Sequence, residues 1–350
     1  MKKPRFLIVR RDNIGDLVCT LPAVAALRQR YPQAHIGMLV NTYNRAVVDG
    51  NPDIDEVFAY EKGKHREEGE GLLGVYWERL RMMQVLRRRH FDYAILAAPS
   101  FQASAMRFAR WIRPAHIVGY ADGAGDKAKM IDLALPAASA DAHEAQRVFN
   151  LFSILDVHGM PSPARIFPDA GEVTRIRESM PAGMSGLVAV HISARKPSQR
   201  WPVERFAELM RTLHGMHGVR FLLLWAPGPV DDPRHPGDDE KAGRLMRAVA
   251  GVPVHALPTA SLQQLIAALS IVDSAVLSDG GAMHVAAGLG KPVVCLFGDS
   301  LASRWHPWGV PHRLLQPESR DVGDIATGDV VAAWNDLRQD IHESSGGVKA

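Results

Sequence analysis

Residues 275–297 read AVLSDGGAMHVAAGLGKPVVCLF. Ala275–Ser278 is a short apolar run, Asp279-Gly280-Gly281 breaks it, and Ala282–Leu289 continues at helical spacing. Gly290-Lys291-Pro292 then ends the helix, and Val293–Phe297 returns to an unbroken apolar run. Strands without polar alternation are buried on both faces, which is the condition of a parallel sheet covered by helices. The stretch is therefore a strand–helix–strand unit, with glycine at the helix exit and proline beyond it.

The same alternation extends in both directions. Upstream in the same half, strands are expected at Leu187–Ile192, Arg220–Trp225 and Val252–Ala256, with helices at Val203–Met216, Asp239–Ala250 and Leu262–Leu269. The first half repeats the scheme. Its strands are expected at Arg5–Arg10, His35–Val40, Glu56–Tyr60, Tyr93–Ala98 and His116–Tyr120, and its helices at Leu21–Tyr31, Val75–His90, Phe101–Trp111 and His143–Val157. The expected fold is α/β, with two doubly wound Rossmann-like domains facing each other across a cleft. Residues 1–165 form the first domain, 166–328 the second, and 329–350 a C-terminal helix and tail, frayed from Ser344. The proline- and glycine-rich stretch Gly159–Gly183 is expected to be an irregular boundary.

Composition narrows the function. The chain has 350 residues, 47% hydrophobic and 23% charged, as expected of a globular protein with two full cores. Two cysteines, Cys19 and Cys295, cannot form a disulfide framework and read as buried thiols of a reducing compartment. No apolar run reaches the roughly 18 residues that span a bilayer, so a cytoplasmic location is expected. Residues 1–165 hold 23 Lys and Arg against 18 Asp and Glu, which suits an anionic ligand but is too small an excess for nucleic acid.

Ligands of doubly wound sheets bind beyond the carboxyl ends of the strands, so the segments following strands carry the candidate chemistry. The turn Arg10-Arg11-Asp12-Asn13-Ile14-Gly15-Asp16 has one glycine, not the three of a dinucleotide-binding turn. It offers instead the carboxylate of Asp16, an exposed acid at the mouth of the cleft or a first-turn helix acid. Ser193-Ala194-Arg195-Lys196-Pro197-Ser198-Gln199-Arg200-Trp201-Pro202 gathers cations and hydroxyls suited to phosphate oxygens. The alternative is a solvated loop anchored by Trp201. Gly280-Gly281 allow close approach of a diphosphate to a helix N-terminus, and His284 on the first turn faces either ligand or sheet. The loop Asp231–Asp239 and the pair His214/His217 imitate metal spacing, but read as a solvated loop and surface histidines. Helix Val75–His90 combines Trp77, Leu80, Met83 and Val85 with five arginines. It is either an ordinary amphipathic helix or a contact for anionic lipid or acceptor phosphates.

Together these segments resemble glycosyltransferase family 9, the ADP-heptose:lipopolysaccharide heptosyltransferases. The matching motifs are Ile14-Gly15-Asp16 with Thr20-Leu21-Pro22, Ala194-Arg195 with Arg200-Trp201-Pro202, and Asp279 to Pro292 followed by Leu296-Phe297-Gly298. The resemblance implies the GT-B fold and inverting, metal-independent transfer without a cofactor. It implies heptose passing from ADP-heptose to a lipopolysaccharide inner-core acceptor. A phosphorylated acceptor, with peripheral contact at the inner face of the inner membrane, is the expectation of the arginine-rich helix and the basic first half. Asp16 takes the family's role of general base. Arg10, Arg11 and Asn13 fall to the acceptor, and Ser193, Arg195, Lys196, Gln199, Arg200, Asp279, Gly280, Gly281 and His284 to the donor. Two positions depart from the pattern: Gln199 stands where the family has Lys, and Gly280 where it has Thr. Lys196 or Arg195 is the candidate replacement for the missing charge. The alternatives are another nucleotide-sugar, or a non-catalytic binder of sugar nucleotide or lipopolysaccharide.

Overall fold

The computed structural model describes residues 3–60, 72–122, 125–136, 138–181, 183–232 and 237–346. The chain divides into two compact units, Met1–Phe167 and Pro168–Ala350.

The first unit is built on a six-stranded parallel sheet: β1 (Arg5–Val9), β2 (His35–Asn41), β3 (Glu56–Tyr60), β4 (Tyr93–Leu96), β5 (His116–Tyr120) and β6 (Leu133–Leu135), in the order β3-β2-β1-β4-β5-β6. Its helices are α1 (Ile14–Val18), α2 (Leu21–Arg30), α3 (Leu72–Arg88), α4 (Ala103–Ile112) and α5 (Glu144–Leu151). A turn of 3-10 helix, Phe152–Leu155, completes the helix expected at His143–Val157. Four of the five β1 residues are buried, as the unbroken apolar run requires.

The second unit repeats the plan with β7 (Leu187–His191), β8 (Arg220–Trp225), β9 (Val254–Pro258), β10 (Ser274–Ser278), β11 (Val293–Leu296) and β12 (His312–Leu315). Their order is β12-β11-β10-β7-β8-β9, again parallel. Around the sheet run α6 (Ala170–Ser179), α7 (Val203–His217), α8 (Asp239–Ala248), α9 (Leu262–Ser270), α10 (Gly281–Gly288), α11 (Ala302–Trp305) and α12 (Thr327–Gly346). β10, flanked by β7 and β11, is buried at every residue. One core cluster joins Trp201, Phe206 and Leu213 to Val330, Trp334 and Leu337, which ties α12 to the second unit. The frayed tail expected from Ser344 gives way to helix as far as Gly346, and residues 347–350 lie outside the described residues.

The structure corrects the reading of Gly159–Gly183. Helix α6 forms within it, because Asp169 Oδ1 accepts the Glu172 main-chain N–H at 2.8 Å and caps the first turn. Ile176 then provides the buried contact of a helix that packs on α9.

In each sheet the strand order reverses at one place, β1/β4 in the first and β7/β10 in the second. There, consecutive connections leave on opposite faces and open a crevice at the carboxyl ends of the strands.

Candidate functional site

At the β1/β4 reversal, the residue directly after β1 is Arg10, whose side chain is 1% exposed. Its Nη1 donates to the Ala97 carbonyl just beyond β4, so one guanidinium bridges the two strand ends. Nη2 donates to Asp16 Oδ1 at 2.6 Å and to Glu144 Oε1 at 2.8 Å, while Nε lies 3.3 Å from Asp12 Oδ2. Burial opposes the charge of Arg10. Asp16, Glu144 and Asp12 outweigh it and hold the guanidinium more firmly protonated than usual.

Asp16 is not the exposed acid of the sequence reading. Oδ1 is held by Arg10, and Oδ2 accepts from both the main-chain N–H and the side-chain amide of Asn13, each at 3.0 Å. The carboxylate therefore stands in one orientation at the first turn of α1, with its side chain 14% exposed. Asp16 is thus the first-turn acid of α1 and also a carboxylate at the strand reversal. Arg11 is also drawn inward. It donates to Tyr60 Oη at 2.8 Å and Ser104 Oγ at 2.6 Å, and lies 4.5 Å from the Phe108 ring centre. Arg10 and Arg11 thus shape this site from beneath, and Asn13 is the member of the trio at the surface. Glu144 and Gln102, which donates to both Asp12 oxygens at 3.0–3.1 Å, were missed from sequence. Glu144 is fully buried on α5. A charged residue on the apolar face of that helix was the available signal.

The β7/β10 reversal is bridged in the same manner. Gln199 closes the short turn Pro197–Gln199 after β7 and donates from Nε2 to Asp279 Oδ2, just beyond β10, at 2.7 Å. The same amide donates to Ser300 Oγ at 3.2 Å. The residue that departs from the family pattern thus sits on the late aspartate, and it supplies a hydrogen bond without a charge. Lys196, one of the two candidates for the missing charge, has its Nζ 3.0 Å from Asp299 Oδ1. Arg200 folds back on the loop, donating to the carbonyls of Ala194 at 3.0 Å and Arg195 at 3.4 Å. Arg195 is exposed. Ser193 Oγ accepts the Ala226 N–H at 2.9 Å and joins the ends of β7 and β8.

Gly280 is the N-cap of α10 at φ +157°, and a side chain there would meet open space. The N–H groups of Gly281, Ala282 and Met283 open the helix without partners from a preceding turn, a ready anion seat. His284 is buried, its ring edge-to-face with Trp305 at 5.9 Å. Trp201 anchors the loop from below, packed on Phe206 and donating from Nε1 to the Ile325 carbonyl at 3.1 Å. Lys241, missed from sequence, donates to the Ile192 carbonyl at 2.7 Å and sits under the same loop.

The metal-like patterns resolve into other contacts. His214 Nδ1 meets the Val219 carbonyl at 2.9 Å, and His217 lies between Asn335 and Arg338. In the loop Asp231–Asp239, residues 233–236 lie outside the described residues. Asp239 accepts the Trp225 indole N–H at 2.7 Å and the Gly228 N–H at 2.9 Å, two bonds that hold its carboxyl below the usual range. Among the described residues no group of three or more His, Cys, Asp or Glu is placed to hold a metal ion.

The family model of glycosyltransferase family 9 (heptosyltransferase) matches residues 79–320. Lipopolysaccharide heptosyltransferase 2 of Salmonella typhimurium is 23% identical over 350 residues, covering 97% of this chain and 93% of that protein. The structure of Escherichia coli ADP-heptose lipopolysaccharide heptosyltransferase II superposes with a TM-score of 0.75 at 19% identity, over 97% of this chain and 99% of that one. An Escherichia coli heptosyltransferase solved with ADP gives 0.74 at 17% identity, over 95% and 99%. The two doubly wound units are those of the GT-B fold, and the family motifs stand where the strand order of each sheet reverses. The chain belongs to glycosyltransferase family 9, the heptosyltransferase family, and is a glycosyltransferase.

Proposed function

We propose that the chain transfers a heptose from ADP-heptose to a lipopolysaccharide inner-core acceptor, with inversion and without metal ion or cofactor. The observation that carries this reading is the fixed carboxylate of Asp16 at the strand reversal of the first unit. An acceptor hydroxyl oxygen attacks the anomeric carbon from the face opposite the leaving group. Its proton passes to Asp16 as the new C–O bond forms, and the bond from the anomeric carbon to the diphosphate oxygen breaks. ADP departs with the electron pair. The N–H groups at the start of α10, with Arg195 and Arg200 of the loop after β7, stabilise its growing charge. Asp279, oriented by Gln199, accepts from sugar hydroxyls. The relative solved with ADP supports an adenine nucleotide as the donor's leaving group.

Contact with an anionic membrane surface is part of the same reading. No helix among the described residues is long and apolar enough to cross a membrane. The neighbouring helices α3 and α4 expose Trp77 (71%), Leu80 and Trp111 among Arg81, Arg88, Arg107 and Arg110, a composition suited to lipid headgroups on the cytoplasmic face.

Asp16→Asn tests the assignment. It should lower kcat by about 10²–10⁴, the usual contribution of a general base, and leave the affinity for ADP unchanged. The readout is ADP release with ADP-heptose and a heptose-free core acceptor. Unchanged turnover would remove Asp16 as the base. Tight ADP binding with no transfer by the unaltered protein would favour the non-catalytic binder, which the neutral Gln199 makes the second reading.

A further inference from the structure

We propose that the second unit holds another small-molecule site, at the amino ends of its strands, for an anionic group carried on an apolar body. A cavity of about 730 Å³ opens there, within the roughly 300–1,000 Å³ of small-molecule pockets. It is formed where four adjacent strands, β11, β10, β7 and β8, begin, and α12 covers it. The donor loops follow the other ends of the same strands, roughly 15 Å away for five residues of extended chain.

The lining separates into two kinds of surface. Val188, Val219, Val272, Trp334, Leu337 and Ile341 supply an apolar wall. Around it stand Arg220, Lys291 and Arg338, against one carboxylate among the described residues, that of Asp273. Arg338 is held in place: Nη1 donates to His217 Nδ1 at 2.7 Å, and its guanidinium lies 5.7 Å from the Trp334 ring centre. Since a guanidinium only donates, His217 accepts on Nδ1 and gives its Nε2 proton to Asn335 Oδ1 at 2.8 Å. Arg220 braces the lip, donating to the Gly183 carbonyl at 2.8 Å and the Ser185 carbonyl at 3.3 Å.

Lys291 is the residue without a structural task. Its ammonium has no hydrogen-bond partner and no carboxylate within 4 Å among the described residues, although it is half-buried. Burial weakens its hold on the proton; Asp273 opposes that effect and Arg177 adds to it. A half-buried cation that lines one cavity with two oriented guanidiniums and an apolar wall is completed by a phosphate, sulfate or carboxylate on an aromatic or aliphatic body. This site does not depend on the assignment of Asp16.

The test is calorimetric titration of the full-length protein with 1-naphthyl phosphate, with and without saturating ADP. One saturable site that persists in ADP is expected. Lys291→Gln should weaken it at least tenfold, with Lys291→Arg recovering most of the loss. 1-Naphthol and inorganic phosphate, each half of the probe, should bind at least tenfold more weakly than the whole. Absence of saturable binding, full displacement by ADP, or equal affinity in Lys291→Gln would overturn the proposal. If ADP itself does not bind, the donor reading fails separately and the Lys291 pair still decides this one. Melting temperatures of both variants within about 2–3 °C of the parent would show that the fold is retained.

Discussion

Arg10 carries one positive charge among three carboxylates, in a place where water does not reach it. Replacing it with methionine keeps most of the volume but strands Glu144, which is fully buried, and loosens Asp16. Removing one member of a buried ionic cluster costs about 3–5 kcal/mol, and Arg147, 3.6 Å from Glu144, offsets part of that. Arg10→Met should therefore lower stability by about 3 kcal/mol, measured by urea unfolding, and reduce kcat as Asp16 loses its orientation. His191 provides a pH dependence. Burial first, and then the nearby Lys241, depress its folded value to about 4, with a hydrogen bond to the Ser193 main chain pulling the other way. The unfolded value is near 6.5, so folding favours the neutral ring. Its contribution is complete above that value and is lost as pH falls towards about 4. His191→Asn should flatten the stability profile in this window by on the order of 2 kcal/mol, read from urea midpoints at pH 7 and 4.5.

Among the elements, the loop after β7 depends on a glycine outside it. A side chain at Gly298, just after β11, would strike the main-chain carbonyl of Ser198. Gly298→Ala must push the turn Pro197–Gln199 away, and Gln199 with it from Asp279. Stability should fall by about 1–3 kcal/mol, while ADP affinity falls at least tenfold. Retained affinity would show that this turn does not position the nucleotide. The ten strands expected from apolar runs are all present. The two that were missed, β6 and β12, are short edge strands of half-buried or exposed residues. An edge strand is specified by its one neighbour's hydrogen bonds, and a local apolar pattern does not register that. Helix α6 escaped for a related reason. Only Glu172 and Ile176 of its ten residues are buried, so packing against α9 and the Asp169 cap decide it where periodicity is silent.

Across the whole molecule, charge is distributed unevenly. The net charge is +3, and residues 1–165 alone carry an excess of five. Vesicles containing phosphatidylglycerol should therefore sediment the protein at low salt and release it near 0.5 M, where the Debye length has shrunk to roughly half its physiological value. Vesicles of phosphatidylcholine alone should not. Charge reversal by Arg81→Glu with Arg88→Glu should weaken binding at least tenfold, since each basic residue near such a surface contributes about 1 kcal/mol. Equal binding by the variant would place the contact elsewhere.

By itself, the sequence determined the parallel α/β class, the family, and the placement of three motif segments after strands. Those are consequences of local pattern: continuous apolar runs, glycines at turns and short motifs in order. Only the tertiary structure decided what those segments touch. Arg10 meets Glu144 across 134 positions, and Gln199 meets Asp279 across 80. Chain spacing carries no record of such pairings. They arise because parallel strands bring the ends of distant segments side by side, where a buried charge or amide must find a partner.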